Sequence, residues 1–157
     1  MPIHRALQKA AAANILVVSA AGNDGKNIDN KENYVFPACT SFKNQIVVGA
    51  SKCAEKIWEQ SNYGRKKVDI FAPGENVAVI DLYGSTWFYG NGTSYATAIV
   101  TGMAAVLRTQ QTARNYATLK CALKGGVVSS PTFSGYCNSG GVINAPLVRE
   151  KFATCPR

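Results

Sequence analysis

The chain has 157 residues, a hydrophobic fraction of 46% and a mean hydropathy of −0.05, values typical of one soluble domain with a buried core. Its net charge is +8, but the basic residues are scattered and are not interleaved with aromatic ones, so we expect no nucleic-acid partner. No apolar run approaches the roughly 20 residues that cross a bilayer, so we expect no membrane partner. The one tight basic cluster, Arg65-Lys66-Lys67, is interpreted as a solvated turn.

The first part of the chain predicts a helix followed by a buried strand. Residues 3–13 are rich in good helix formers, and Asn14 is suited to end that helix. Residues 15–21 are apolar and are followed by the turn residues 22–25, which predicts a strand buried on both faces, as in a parallel sheet. Asn23 then lies at the strand's carboxyl end, the edge where α/β sheets bind ligands. Its side chain either forms an Asx-turn or helix cap, or donates to a developing oxyanion.

The middle of the chain predicts more strands. Residues 45–50 and 68–71 are short apolar runs bounded by turn residues, and each predicts a buried strand. Residues 76–82 and 86–89 flank a turn at 83–85 and predict a hairpin. A mostly parallel sheet is therefore expected, with the hairpin as a separate feature.

A long run of small and apolar residues follows the turn at 89–92. It extends from Thr93 to about residue 109, has no polar stripe and predicts a helix buried all round. Ser94 then lies in the first turn, where free N–H groups and the helix dipole favour negative charge. That position suits a serine that must become an alkoxide-like nucleophile. The alternative is that Thr93 or Ser94 only caps the helix, as Ser and Thr commonly do.

The C-terminal part predicts two further helices separated by a loop. The first covers residues 113–123 and ends at a pair of glycines, and residues 127–140 are dense in Ser, Pro and Gly and predict a loop. Asn144 followed by Pro146 predicts the start of a final helix that reaches Phe152. The sequence contains no internal repeat and no second domain.

The five cysteines form no C-x-x-C pair, and the single histidine is far from them in sequence, which argues against a zinc site. Their density is typical of an oxidising compartment. An odd number leaves one thiol free or paired outside the chain. We expect the pairs Cys39–Cys53 and Cys121–Cys137, with Cys155 left over.

Two stretches, Ala20-Ala21-Gly22-Asn23-Asp24-Gly25 and Gly92-Thr93-Ser94-Tyr95-Ala96, resemble the subtilisin-like serine proteases, the subtilases. Three more follow in the family's order: Ser61-Asn62-Tyr63-Gly64, Phe71-Ala72-Pro73-Gly74 and Gly141-Val142-Ile143-Asn144-Ala145. The resemblance covers almost the whole chain, 1–157, but only about the C-terminal half of a subtilase catalytic domain. It implies an α/β fold that is part of a subtilisin-like three-layer architecture, with a mostly parallel sheet and a buried helix carrying the serine.

The resemblance also implies the roles of individual residues. Ser94 corresponds to the nucleophile, and its backbone N–H together with the Asn23 side chain corresponds to the oxyanion hole. Ala20, Ala21 and Gly22 correspond to substrate-binding positions. No metal ligand is implied for any residue of this chain, and no cofactor is expected; structural calcium is frequent in the family but cannot be placed in this segment.

The family's catalytic Asp and His motifs precede everything that matches here, and neither occurs in the chain. His4 is the sole histidine and is followed by Arg5 rather than Gly, so it is interpreted as a solvated or capping residue. Asp24, Asp69 and Asp81 match no triad position. The resemblance therefore implies that the complete protein is a serine endopeptidase and that this chain alone is inactive. The alternative is a non-catalytic binding or regulatory module derived from a protease half.

The implied partners are a peptide or protein substrate and the missing N-terminal half of the catalytic domain. The segment 34–38 corresponds loosely to a wall of the pocket that holds the substrate side chain before the scissile bond. The cysteine content and the resemblance together imply a secreted, extracellular protein.

Overall fold

The structure is a computed structural model that describes residues 2–52, 56–81, 83–110 and 115–156. Its helices and strands are α1 (Pro2–Ala12), β1 (Val17–Ala20), β2 (Gln45–Lys52), β3 (Lys56–Ile57), β4 (Ile70–Pro73), β5 (Val77–Ile80), β6 (Trp87–Gly90), α2 (Thr93–Gln110), α3 (Tyr116–Gly125), β7 (Val127–Ser129), β8 (Gly141–Ile143) and α4 (Ala145–Thr154).

A mostly parallel sheet organises the fold, with the strand order β1-β2-β4-β8-β7. Strands β1, β2, β4 and β8 are parallel, β7 is antiparallel to β8, and the short β3 is antiparallel to β2. The remaining two strands, β5 and β6, form a separate hairpin. The α/β fold with a mostly parallel sheet is thus confirmed. Because parallel strands share one direction, the segments that follow β1 and β4 meet at the same edge.

The two faces of the sheet are covered by two hydrophobic clusters. Side chains alternate between faces along a strand, so Ile46, Val48 and Ile70 pack with helices α2, α3 and α4 on one face. Their neighbours Val47 and Phe71 pack into the second cluster on the other face. Burial on both faces confirms the predicted strand at 45–50, whereas the strand predicted at 68–71 begins two residues later, at Ile70, and extends to Pro73.

Burial of the first strand differs from the prediction. Only Ser19 of β1 is buried, and Ile15 before the strand is 52% exposed. The reason is position: β1 is at the end of the strand order, so no described strand pairs with its outer edge.

The prediction that α2 is buried all round is wrong for the described chain. The helix buries one face, made of Thr93, Ala96, Val100, Ala104 and Leu107. The opposite face carries exposed residues, including Ala98, Thr101, Gly102, Ala105 and Val106. The sheet, α3 and α4 contact only one side of the helix, and no described element covers the other.

Several local predictions are confirmed. Asn14 adopts a left-handed conformation (φ 56°) after α1, and the hairpin forms at β5 and β6. The side-chain Oδ1 of Asn144 caps α4 by accepting from Leu147 N at 3.1 Å. The predicted start of the third helix at residue 113 lies outside the described residues. The predicted loop at 127–140 is wrong in its first residues, because β7 forms there by pairing with β8.

The predicted disulfides are wrong. Cys121 pairs with Cys155, with a Cα–Cα distance of 6.1 Å, while Cys39 and Cys137 are free and buried. Cys137 belongs to the cluster on one face of the sheet, whereas Cys121 lies on α3, which packs against α4 on the other face. The remaining residue of the predicted pairs, Cys53, lies outside the described residues. Within the described ranges, no helix combines the length and apolar character needed to cross a bilayer.

Candidate active site

The start of α2 is attached to the carboxyl edge of the sheet by backbone hydrogen bonds. Gly74, which follows β4, donates to Ser51 O at 3.0 Å, and its own carbonyl accepts from Gly92 N at 2.7 Å. The helix therefore begins at the edge where β1, β2 and β4 end, and Ser94 lies in its first turn.

Asn23 and Thr93 form a compact hydrogen-bonded group at this edge. The side-chain Oδ1 of Asn23 accepts from the backbone N–H of Thr93 at 2.9 Å and from its hydroxyl at 2.8 Å. The Thr93 hydroxyl oxygen in turn accepts from Gly22 N at 3.2 Å. Both predictions for Asn23 are therefore compatible, because its oxygen binds the start of α2 while its Nδ2 group remains available as a donor. Thr93 does not cap its own helix but connects it to the loop after β1.

The Ser94 hydroxyl and the Asn23 amide face the same space above Gly92. A Cβ atom on Gly92 would lie 3.2 Å from Ser94 Oγ and 3.6 Å from Asn23 Nδ2. Glycine leaves this space free, and its φ of 156° also disfavours other residues. Ser94 is exposed to solvent, so a ligand can reach its hydroxyl. A hydroxyl group and an amide group that can donate a hydrogen bond thus lie on one side of Gly92.

Asn62 holds the loop that carries Asn23. Its side chain is completely buried, accepts from Asp24 N at 3.1 Å and Lys26 N at 2.9 Å, and donates to Ala21 O at 3.0 Å. A Cβ atom on Gly22, whose φ is 101°, would collide with the Asn62 side chain. This role of Asn62 was not predicted; the family-like motif at residues 61–64 was the available signal.

The family model of the subtilases matches residues 2–127 of this sequence. The chain belongs to the subtilase family. Subtilisin-like protease 1 of Pseudogymnoascus destructans is 42% identical over 106 residues, which cover 67% of this chain and 25% of the relative. An intracellular serine protease of Paenibacillus polymyxa is 36% identical over 106 residues, covering 68% of this chain and 31% of the relative.

Solved subtilase structures show the same fold. A chain from the subtilase cytotoxin SubAB assembly superposes with a TM-score of 0.80 at 26% identity, covering 96% of this chain and 53% of that one. The prenylagaramide maturation protease PagA gives a TM-score of 0.79 at 28% identity, covering 98% of this chain and 56% of that one. This subtilase chain therefore spans about half the length of the matched structures, and 25% to 31% of the two curated relatives.

Two of the predicted substrate-binding residues of this subtilase, Ala21 and Gly22, are held by hydrogen bonds of their backbone groups. The Ala21 N–H donates to Val48 O at 3.0 Å, and Gly22 O accepts from Asn62 N at 2.9 Å. Their backbone groups are thus already hydrogen-bonded within the chain. Val35 Cγ2 lies 3.4 Å from the position of a Cβ on Gly22, so the segment 34–38 lies beside Gly22.

No general base reaches Ser94 within the described part of this subtilase. His4 is exposed on α1, and its ring lies 5.1 Å from that of Phe42. Asp24 is bound to Asn62, and Asp69 forms an ion pair with Lys124. The structure therefore brings together Ser94 and Asn23 but neither His4 nor these carboxylates.

The third candidate carboxylate, Asp81, closes the turn of the hairpin before the serine. It accepts from the hydroxyls of Thr86 and Ser85 and from the backbone N–H groups of Tyr83 and Ser85. The hydrogen bond from the Thr86 hydroxyl, followed by that from Ser85 N–H, lowers the pKa of Asp81 well below its usual range. This carboxylate is structural, since all these partners lie within its own turn.

Calcium requires several oxygen ligands, commonly carboxylates. Across the described residues, no three His, Cys, Asp or Glu side chains come close enough to hold a metal ion.

Proposed function

We propose that the complete protein is a serine-type endopeptidase in which Ser94 is the nucleophile and Asn23 belongs to the oxyanion hole. The observation that carries this proposal is the shared space above Gly92, bordered by Ser94 Oγ and Asn23 Nδ2. Membership of the subtilase family supports the reaction class.

In this mechanism Ser94 Oγ attacks the carbonyl carbon of a peptide bond, and the carbonyl oxygen becomes negatively charged. The Asn23 amide and the Ser94 N–H at the start of α2 donate hydrogen bonds to that oxygen. Because Thr93 holds the Asn23 oxygen at 2.8–2.9 Å, the amide is oriented before the substrate arrives. Ala20 and Gly22, which are partly exposed, contact the substrate chain in this proposal, whereas Ala21 is completely buried.

The base that removes the proton from Ser94 comes, in this proposal, from an N-terminal half of the domain. Without a base, serine is a poor nucleophile at neutral pH, so this chain alone is inactive. Two observations support the partner: the exposed small-residue face of α2, and the outer edge of β1, which pairs with no described strand. The longer length of the matched relatives supports it as well.

A fluorophosphonate probe tests the reaction. We expect no labelling of the 157-residue chain alone at an enzymatic rate, and rapid labelling at Ser94 when the N-terminal half is added. Replacing Asn23 with Ala should slow this labelling by about 10²–10³, the range already established for such donors in this family. Asn30→Ala is the matched control, because the Asn30 side chain makes no capping hydrogen bond and lies outside the site.

Two results would contradict the proposal. Labelling of the isolated chain at an enzymatic rate would show that a base is present within it. Absence of labelling in a verified complex of both halves would show that Ser94 is not the nucleophile.

A second candidate function is a non-catalytic binding or regulatory module. It is favoured by one observation: in the described residues, no base contacts Ser94. If the chain is such a module, we expect the isolated chain to unfold cooperatively and its affinity for the partner to be unchanged by Ser94→Ala. Labelling of the unmodified protein at Ser94 when the partner is bound would favour the protease.

We also propose that the protein is secreted. The Cys121–Cys155 disulfide supports an oxidising compartment, although the relative from Paenibacillus polymyxa is named as intracellular. Fractionation of the producing cells should place the protein in the medium with this disulfide formed. Recovery of the reduced protein from the cytosol would contradict secretion.

A further inference from the structure

A cleft of about 130 Å³ opens at the amino-terminal edge of the sheet. Its walls include the start of β2 at Gln45 and three lysines, Lys66, Lys67 and Lys120; we call it the lysine cleft. The strands run from this edge to the edge that carries Ser94. From Gln45 to Ser51 this path is about 20 Å, so the lysine cleft is separate from the candidate active site.

The lysine cleft has an excess of positive charge. Asp69 is the acidic residue among its described lining residues, and both of its oxygens are already engaged. Asp69 Oδ2 accepts from Val47 N at 2.9 Å, and Oδ1 forms an ion pair with Lys124 Nζ at 2.9 Å. Lys124 therefore compensates the charge of Asp69, which leaves the three lining lysines without a matching carboxylate in the cleft.

The turn that carries two of these lysines is held in place. The Asp29 carboxylate accepts from Lys66 N at 3.1 Å and from Lys67 N at 2.9 Å. The Lys67 ammonium donates to Ser41 Oγ at 2.7 Å and lies 5.1 Å from the centre of the Tyr34 ring. The interpretation of residues 65–67 as a merely solvated turn is therefore incomplete, because Lys67 is oriented along the cleft wall. Asp29 offsets one charge of this turn, and a positive excess remains.

The third lysine is partly removed from water. Burial lowers the pKa of Lys120; Asp69 opposes this effect and Lys124 adds to it. Its described hydrogen-bond partner is a backbone carbonyl, Lys43 O, at 3.5 Å. A partly desolvated ammonium group with only a long contact to a neutral oxygen would gain from an anionic partner.

We propose that the lysine cleft binds a sulfate or phosphate group through Lys66, Lys67 and Lys120. Ammonium groups are compact point charges with several donors, and they bind such oxyanions without requiring a planar geometry. The volume of about 130 Å³ is sufficient for one tetrahedral oxyanion. The group can be a free ion or an ester on a larger molecule. This site is independent of the proposed peptidase reaction.

The test is a titration of the 157-residue protein with inorganic phosphate and sulfate at low ionic strength, measured by calorimetry. We expect saturable binding that weakens about tenfold or more in the double variant Lys66→Gln/Lys120→Gln, because two charge-assisted hydrogen bonds are lost. The matched control is Lys31→Gln/Lys56→Gln, which removes the same charge from two exposed residues outside the cleft and should weaken binding less than about twofold.

Two outcomes would overturn the proposal: no saturable binding of either ion, or an equal loss in the cleft and control variants. Ser94→Ala should bind the ions normally, which separates this test from that of the peptidase reaction. If the double variant does not unfold cooperatively, the single variant Lys66→Gln replaces it, because Lys66 is exposed. A sulfated oligosaccharide that binds much more tightly than free sulfate would identify the group as an ester, and equal affinities would identify a free ion.

Discussion

The two faces of α2 have similar composition but opposite environments. Val100 is fully buried against the sheet, whereas Val106, less than two turns later, is 58% exposed. Around Val106 the outer face consists of small residues such as Ala98, Gly102 and Ala105, next to a cavity of about 480 Å³ between α2 and α4. A solvent-facing helix surface is normally polar.

The outer face of α2 has the composition of a helix surface in contact with another segment, although no described segment covers it. Small residues allow another backbone to approach closely, and a contiguous exposed apolar surface is a common mark of an interface. The outer face is therefore consistent with a covering segment in the complete protein. Substitutions on each side of the helix and near its start test this difference.

The largest effect is expected from an aspartate on the buried face. Val100→Asp places a carboxylate among apolar side chains and should destabilise the fold by more than about 4 kcal/mol. Val106→Asp, the same substitution on the exposed face, should change the free energy of unfolding by less than about 0.5 kcal/mol. Urea denaturation measures both. Equal losses would mean that the two faces do not differ as described.

The disulfide that joins α3 to α4 should contribute next. It closes a sequence separation of 34 residues, so Cys121→Ser/Cys155→Ser should lower the free energy of unfolding by about 3–4 kcal/mol. The two helices that this disulfide joins pack on the same side of the sheet as the buried face of α2. Reducing agent should lower the denaturation midpoint of the native protein but not that of the double variant. A reductant-sensitive double variant would indicate that another disulfide matters.

At the first turn of α2, a buried residue and an exposed residue are again compared, here the neighbours Thr93 and Ser94. Thr93 is buried and connects Gly22 to Asn23, so Thr93→Ala should cost about 1–2 kcal/mol. Ser94 is exposed, and Ser94→Ala should change stability by less than about 0.5 kcal/mol. Thermal unfolding of the two variants gives the comparison. A Ser94 variant as unstable as the Thr93 variant would show that Ser94 has a structural role.

The smallest change in stability is expected at Gly102, where a Cβ atom would meet no atom within 4 Å. Gly102→Leu should leave the isolated chain as stable as before, or raise its stability by up to about 1 kcal/mol, because glycine is a poor helix former. If a segment covers the outer face, the same variant should impair restoration of Ser94 labelling by the N-terminal half. Gly102→Ala is the control with a smaller side chain. Normal restoration with Leu would place the partner elsewhere.

Predictions that depended on local chemistry agreed with the structure. Asn14 ends α1 and Asn144 starts α4, because each asparagine acts on backbone groups within a few residues. The motif around Ser94 likewise predicted a serine in the first turn of a helix. In contrast, the role of Asn62 could not be predicted, because its partners at Ala21 and Lys26 are about forty residues away.

Short-range sequence patterns were enough to indicate the family, the helices, most of the strands and the residue types at the candidate site. Only the tertiary structure decided that Cys121 pairs with Cys155, that one face of α2 is exposed and that Lys120 lies near Lys66 in a cleft. Disulfide pairing, burial and charge clustering depend on which distant segments meet, and the packing of helices against the sheet sets those contacts.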